Sequence, residues 1–186
     1  FDKVASLLGL GFPGGPAVER EAQTGNPKAF AFPRSFIHEP QLEFSFSGLK
    51  TAVLYAVNGK NVAKAPPPPV GQFRADIAAS FQQAVVDVLV AKCKQALQQT
   101  NLTRLAVGGG VTANKTFRTA LEKMCQQTGA ELFIPPLNLC TDNAAMIATA
   151  GQRALLQGNV ASFDCEAMPD CALPVWSGSG AVRRTS

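Results

Sequence analysis

LAVGGGVTANKTFR, residues Leu105 to Arg118, is the most informative stretch of the chain: a short apolar run, three glycines, and then a helix-forming segment that opens on Thr112 and carries Asn114. A strand that enters a helix through glycines makes a cradle for an anion or nucleotide. Bare backbone lets N–H groups approach the ligand, and the helix dipole favours negative charge. A tight connection without a ligand has the same pattern. The stretch therefore predicts strand, turn and helix, and leaves ligand binding as one of two interpretations.

A second stretch of the same kind is IPPLNLCTDNAAMIATAG, Ile134 to Gly151, in which a proline-rich loop leads into a small-residue helix. Thr141, Asp142 and Asn143 gather side-chain oxygens and an amide at the start of that helix, beside free backbone donors. This set suits a polar ligand or a metal ion. The alternative is that Thr141 or Asp142 simply caps the helix.

The pattern between these stretches predicts strands that alternate with helices, which is typical of an α/β domain with parallel pairing. Ligands of such domains lie at the carboxyl ends of the strands. Because loops 108–114 and 135–142 each follow a strand, we expect them to converge on one site. The predicted strands are Ala29–Phe32, Leu42–Phe46, Leu102–Val107 and Glu131–Ile134, and the predicted helices are Asp2–Leu8, Pro16–Thr24, Ser47–Asn58, Gln72–Gln99, Thr112–Thr128 and Thr141–Gln157.

The longest predicted helix, from Gln72 to about Gln99, has an apolar stripe that predicts a role in the scaffold. Its apolar residues recur at three- and four-residue steps, the spacing of one helix face. They are Ile77, Phe81, Val85, Val88, Leu89, Cys93 and Leu97.

Composition excludes several classes of protein. The chain has 186 residues, 46% of them hydrophobic, which is enough for one substantial core or two small ones. No apolar run approaches the ~20 residues that cross a bilayer, so no membrane association is expected. Five cysteines, an odd number without a CxxC pair, argue against a disulfide framework or a zinc ribbon and favour a reducing, cytoplasmic setting.

The charge gives a mild bias towards anionic partners such as RNA or nucleotides. Lys and Arg number 17 against 13 Asp and Glu, a formal net charge of +4. The basic residues are scattered along the chain, and solvated helix faces explain them equally well. Charge alone therefore identifies no partner.

Five strings, in order, give the chain a family resemblance: FDKVASLLGLGFPGGP, FSFSGLKTA, ADIAASFQ, GGGVTANKTFR and CTDNAAMIATAG. They closely resemble the tRNA adenosine threonylcarbamoyltransferases (the TsaD type), formerly labelled O-sialoglycoprotein endopeptidases or glycoproteases. The resemblance implies an actin, hexokinase and Hsp70-like (ASKHA) fold, with a mixed sheet flanked by helices. Residues 1–158 would be its C-terminal lobe, starting with helices that trail from the N-terminal lobe, and residues 159–186 an irregular tail.

The resemblance also implies a site. Asp142 would help to hold a catalytic iron or zinc ion, while Asp2, Gly15 and Asn114 would bind threonylcarbamoyl-AMP. In the implied reaction, the exocyclic amine of the adenosine beside the tRNA anticodon attacks the activated carbamoyl carbon and AMP leaves. The chemistry of the residues is compatible, since a carboxylate suits such a cation, glycine permits close approach, and an amide donates and accepts. The general base stays unassigned.

The family takes its other metal ligands from an HxxxH helix in the N-terminal half, and this chain has a single histidine, His38. His38 precedes Glu39 and Pro40, and we expect it at the surface. One carboxylate is too few, because zinc sites use about three or more protein ligands. We therefore expect the chain to be a fragment, inactive by itself.

The resemblance further implies tRNA and the subunits of a threonylcarbamoylation complex as partners, a homodimer or a heterodimer with a paralogue, and a cytoplasmic or organellar location. Two other functions stay open. One is the metallo-glycoendopeptidase of the old label, although the sequence has no HExxH helix. The other is a non-catalytic lobe that binds a nucleotide or docks partner subunits.

Overall fold

The computed structural model describes residues 1–59 and 66–166, together with the backbone of two short strands beyond them. These residues form a mixed α/β structure that is mostly helical. Two 3-10 turns, Gly110–Ala113 and Leu137–Leu139, precede the last two helices. The helices are α1 (Asp2–Leu7), α2 (Gly14–Ala22), α3 (Ser47–Asn58), α4 (Gly71–Thr100), α5 (Lys115–Thr128) and α6 (Ala144–Leu156), and the strands are β1 (Arg104–Ala106), β2 (Glu131–Phe133), β3 (Val175–Trp176) and β4 (Val182–Arg183).

Helix α4 is the shared wall of two hydrophobic cores. Its thirty residues correspond to a length of about 45 Å. The first half packs against α1, α2 and α3 through residues such as Ile77 and Phe81. The second half packs against α5 and the β1–β2 pair through Val86 and Leu97. The predicted scaffold stripe is confirmed, since five of its seven residues are buried and the other two, Leu89 and Cys93, are half-buried.

The β1–β2 pair confirms the predicted parallel pairing. Leu105 lies opposite Leu132 in the register, and the bonding continues one residue further, where Val107 N–H donates to the Phe133 carbonyl at 3.0 Å. Because the two strands run in the same direction, both loops that follow them leave from the same edge. Within the described part of the chain the only other pair is the antiparallel β3–β4 ladder, with Val175 opposite Arg183.

The predicted strands at Ala29–Phe32 and Leu42–Phe46 are wrong, because neither segment has a strand partner among the described residues. In the first segment, a side chain of α4 takes the place of a neighbouring strand. The Phe30 N–H donates to Ser80 Oγ at 3.1 Å, and the Ser80 hydroxyl donates to the Asn26 carbonyl at 3.1 Å. A backbone group satisfied in this way needs no sheet ladder.

Lys92 of α4 binds the backbone between these two segments, at Glu39 and Gln41. Its side chain is buried, and its ammonium donates to the Glu39 and Gln41 carbonyls at 2.7 Å each and to Gln95 Oε1 at 2.9 Å. Buried lysine is rare unless it is paired. Here two backbone carbonyls replace a counter-ion as partners of the ammonium. His38, which directly precedes Glu39, is exposed as expected.

Three helix starts differ from prediction, two of them because an asparagine caps the helix. Helix α2 begins at Gly14, two residues before Pro16. Helix α5 begins after Asn114 and not on Thr112, whose hydroxyl donates back to the Gly109 carbonyl at 2.6 Å. Helix α6 is capped by Asn143, whose Oδ1 accepts from Met146 N at 3.0 Å. The predicted caps at Thr141 and Asp142 are therefore wrong.

The chain divides into two compact units, Phe1–Asp142 and Asn143–Ser186. The first contains both cores, and the second contains α6, β3 and β4. The predicted lobe boundary at 158 stays a prediction, and most of the tail at 159–186 lies outside the described residues. In the described ranges, no helix combines the length and the apolar character that a bilayer crossing needs.

Replacing Lys92 with Met should destabilise the chain. The change removes three hydrogen bonds of a buried ammonium, and of the two backbone carbonyls only that of Glu39 keeps another donor among the described residues, Gln95 Nε2. We expect a loss of about 1–3 kcal/mol in the free energy of unfolding, measured by urea denaturation. Lys94→Met on an exposed position of the same helix is the control and should stay within about 0.5 kcal/mol. Equal stability of the two variants would contradict this role.

The stability of the fold should fall at alkaline pH. Burial, with a smaller contribution from the nearby Cys125 thiol, raises the pKa of the Cys93 thiol from its ordinary value of 9.0 to about 11. The native state thus favours the neutral thiol, so the stabilisation is complete below pH 9 and is lost as the pH rises towards 11. Urea denaturation from pH 8 to 10.5 should reveal the decline. It should be shallower in Cys93→Ala and unchanged in Cys165→Ala, an exposed site.

Candidate functional site

A cavity of about 470 Å³ opens in the first unit, where α1, α2 and the loop after β1 meet. Its size is in the range of small-molecule pockets. The residues that line the cavity include two carboxylates, one side-chain amide and two glycines. The lining consists of Phe1, Asp2, Pro13, Gly15, Pro16, Glu19, Gly110, Val111, Ala113, Asn114 and Thr141.

Asp2 enters the cavity from the first residue of α1. Its Oδ1 accepts a hydrogen bond from Gly14 N at 2.8 Å, so the carboxylate lies at the N-terminus of α2. A carboxylate is stabilised there by an unpaired amide and by the helix dipole. Its second oxygen has no hydrogen bond within the described residues and is available to a ligand.

Gly14 and Gly15, neighbours in sequence, meet different surroundings. A Cβ on Gly14 would lie 2.5 Å from Asp2 Cα and 2.7 Å from Asp2 Oδ1, so only glycine lets α1 and α2 approach this closely. A Cβ on Gly15 would meet nothing within 4 Å, and Gly15 lines the cavity. Gly14 therefore serves packing, whereas Gly15 keeps open space beside the first-turn amides of α2.

Glu19 is a second carboxylate of the cavity, and the sequence analysis did not identify it. Its Oε1 accepts from Lys115 N at 2.6 Å, across 96 residues of sequence. Helix α5 has no acidic residue in its own first turn, and Glu19 of α2 supplies that charge from outside. No local pattern reveals such a contact, because the two residues meet only in the folded chain.

Asn114 lies in the cavity wall with its side chain buried. Its Oδ1 accepts from Phe117 N at 3.0 Å, which makes it the N-cap of α5, and its Nδ2 donates to Gln82 Oε1 of α4 at 2.7 Å. An amide nitrogen carries two hydrogens. One Nδ2 hydrogen therefore orients the side chain, and the other is left for a ligand.

The two loops predicted to converge do meet. Thr141 shares the cavity lining with Gly110, and a Cβ built on Gly110 would lie 3.9 Å from Thr141 Cγ2. Asp142 follows Thr141 directly, is exposed and does not line the cavity. The structure thus brings Asp2, Gly15 and Asn114 to one cavity and leaves Asp142 one residue outside its wall.

A metal ion finds too few ligands in this part of the chain. Among the described residues, no three His, Cys, Asp or Glu side chains cluster in a way that could hold one. Asp142 is an exposed carboxylate that caps no helix, and it can offer a single ligand. The described residues alone therefore do not fit a metal centre.

A cavity lined by strand-end loops and helix N-termini is typical of α/β domains that bind small molecules. The model of one family, tRNA N6-adenosine threonylcarbamoyltransferase, matches residues 1–149. This match covers most of the chain, and the chain belongs to that family. The family resemblance read from the five sequence strings is confirmed.

Curated relatives with the same name agree with the family match. The chain is 48% identical to the tRNA N6-adenosine threonylcarbamoyltransferase of Cereibacter sphaeroides, over 97% of this chain and 52% of the relative. It is 45% identical to that of Clostridium botulinum, over 93% and 49%, and 52% identical to that of Burkholderia vietnamiensis, over 81% and 44%. The chain spans about half the length of these relatives.

Alanine at the two neighbouring glycines should separate folding from binding. Gly14→Ala should lower the free energy of unfolding by about 1–3 kcal/mol, because its methyl group meets Asp2 backbone. Gly15→Ala should leave stability unchanged or raise it by up to about 1 kcal/mol. Urea denaturation of both variants checks this.

The binding half of the test uses an extended protein, in which this sequence is joined to the half that full-length relatives also carry. There Gly15→Ala should weaken AMP binding about tenfold by calorimetric titration, a loss of about 1.4 kcal/mol. Unchanged AMP affinity in a folded Gly15→Ala protein would mean that the cavity does not hold the nucleotide.

Proposed function

We propose that this chain is the substrate-binding lobe of an enzyme that transfers a threonylcarbamoyl group from threonylcarbamoyl-AMP to an adenosine of tRNA. In that reaction the adenosine N6 attacks the carbamoyl carbon. A C–N bond forms, the bond from that carbon to the phosphate oxygen breaks, AMP leaves, and N6 loses a proton. The relatives' names specify tRNA and N6-adenosine, and they favour a transferase over the peptidase of the older label.

The observation that carries the proposal is the shared cavity of Asp2, Gly15 and Asn114, three residues that the family resemblance assigned to substrate binding. The unbonded oxygen of Asp2 accepts a ligand hydroxyl, and Glu19 offers a second acceptor of the same kind. Gly15 admits the ligand close to backbone amides. A ligand rich in hydroxyl donors, such as a ribose or a threonyl side chain, matches this acidic lining better than a free phosphate does.

Positioning is the main contribution that these residues would make to the reaction. Asp2 and Glu19 are held by the N-terminal amides of α2 and α5, and Asn114 by the Gln82 amide, so the groups facing the ligand are fixed before it binds. Fixed orientation of the substrate lowers the entropic cost of reaching the transition state. The general base stays unassigned.

The ASKHA fold is part of the same proposal. Family membership supports it, as does the parallel β1–β2 pair whose following loops form the cavity wall. A larger mixed sheet would arise when strands from the half that the relatives carry in addition pair with this one. Partner subunits, a homodimer or paralogue heterodimer, and a cytoplasmic or organellar location stay predictions.

We extend the proposal to a metal ion, iron or zinc, for which Asp142 would supply one ligand in the extended protein. Its exposure and its position next to the cavity support that role. The remaining ligands must come from outside the described residues, since these contain no set of three. No step of the reaction above is assigned to the metal.

Asp142→Asn in the extended protein should lose most of its bound metal and most of its transfer activity while it stays folded. The amide preserves the shape of the side chain but removes the negative charge that a hard or borderline cation prefers. Metal content by mass spectrometry, tRNA modification from threonylcarbamoyl-AMP and a urea midpoint measure the three properties. The chain alone should be inactive in the same assay.

Glu122→Gln is the matched control, because it neutralises an exposed carboxylate of α5 outside the cavity lining. It should keep both metal and activity. Normal metal content in Asp142→Asn would remove Asp142 from the ligand set. Robust transfer by the chain alone would contradict the need for the other half, and nucleotide binding without any transfer by the extended protein would favour a non-catalytic lobe.

A further inference from the structure

One guanidinium group connects the two loops that form the cavity wall. Arg118 lies in the first turn of α5, and its Nε donates to the Thr112 carbonyl at 2.6 Å, in the loop after β1. Its Nη2 donates to the Pro135 carbonyl at 2.7 Å and to Cys140 Sγ at 3.0 Å, in the loop after β2. The rigid planar fork of arginine makes such bonds with defined geometry.

The position of this arginine is electrostatically unfavourable by itself. A cation in the first turn of a helix faces the positive end of the helix dipole. Moreover, the ion pairs among the described residues join Arg34 to Asp87 and Arg74 to Glu21, and Arg118 has no carboxylate partner there. Its stabilising contacts are thus the three neutral acceptors of the two loops, which indicates that connecting these loops is its main role.

Cys140 carries this connection to the cavity. Its side chain is buried, accepts from Arg118, and has Sγ 3.4 Å from the Pro136 carbonyl, to which the thiol donates. The next residue, Thr141, lines the cavity beside Gly110. A shift of Cys140 would therefore move one wall of the cavity relative to the other.

We propose that Arg118 is a positioning residue, which fixes the spacing between loop 109–114 and loop 135–142 and so sets the shape of the nucleotide cavity. This inference rests on the proposed function, because it takes the ligand to be an adenylate. Arg118 is not among the residues that line the cavity. Its effect reaches the ligand through Thr112, Cys140 and Thr141.

Arg118→Lys tests the proposal, because lysine keeps the charge but cannot reach acceptors in both loops with one planar group. In the extended protein, AMP affinity measured by calorimetry should fall about tenfold, which is the loss of about one hydrogen bond to a charged group. The free energy of unfolding should fall by about as much as in Arg34→Lys, because each change removes hydrogen bonds of one guanidinium group. Arg34→Lys is the matched control, since Arg34 binds the Phe32 carbonyl in its own segment and joins that segment to Asp87 of α4, away from the cavity.

A second readout in the same protein reports the loop directly. Alkylation of Cys140, followed by peptide mass spectrometry, should be at least about tenfold faster in Arg118→Lys, because loss of one such hydrogen bond frees the loop to open. Cys125, a buried thiol of α5, should react as slowly as before. Equal acceleration of both thiols would mean general loosening of the fold and would overturn the positioning role.

Unchanged AMP affinity in Arg118→Lys also overturns the inference, whatever the transfer activity. If that variant fails to fold, Cys140→Ala, which removes one of the three acceptors, should weaken AMP binding while Arg34→Lys does not, and the opposite ranking counts against the proposal. Transfer by the unmodified protein decides the proposed function separately. A protein that binds AMP and responds to Arg118→Lys, yet transfers nothing, would retain the positioning role and lose the proposed reaction.

Discussion

The buried face of α4 is the constraint on which the rest of this structure depends. Its apolar side chains build both cores, while its few polar side chains hold segments that have no regular structure of their own. Ser80 binds the backbone near Phe30, Lys92 binds the turn after His38, and Gln82 binds Asn114 in the cavity wall. Each of these side chains is buried, and among the described residues none of their buried polar atoms lacks a hydrogen-bond partner. A scaffold helix therefore also determines where the binding residues lie.

The sequence was sufficient for the features that depend on local periodicity. The α4 stripe, the parallel order of β1 and β2, and the convergence of the two loops all follow from apolar spacing and from the rule that loops leave parallel strands at one edge. The alternating segment around Phe44 has equally good strand periodicity, yet it forms no strand, because a strand also needs a partner. Pairing partners are a property of the folded chain, and alternation alone does not identify them.

The candidate site was predicted only in part, because some of its contacts also join residues that meet only in the folded chain. Asp2, Gly15 and Asn114 were assigned by the family resemblance, and they share a cavity. Glu19 was missed because its contact with Lys115 N joins residues 96 positions apart. The capping of α6 was misassigned within a Thr-Asp-Asn sequence in which all three residue types are good caps. Because Asn143 is the cap, the carboxylate of Asp142 does not cap α6. The backbone geometry determines which of the three residues caps the helix, and composition does not specify it.

Sharing one helix has a further consequence for how the first unit unfolds. The boundary between its two cores falls between consecutive residues, since Val85 belongs to one and Val86 to the other, and Leu89 packs against both. At this point both cores pack against the same turns of α4, so local unfolding of one core removes packing contacts from the other. We therefore expect the two clusters to unfold as one cooperative block, and the cavity lined by Asp2, Gly15 and Asn114 to be lost with them.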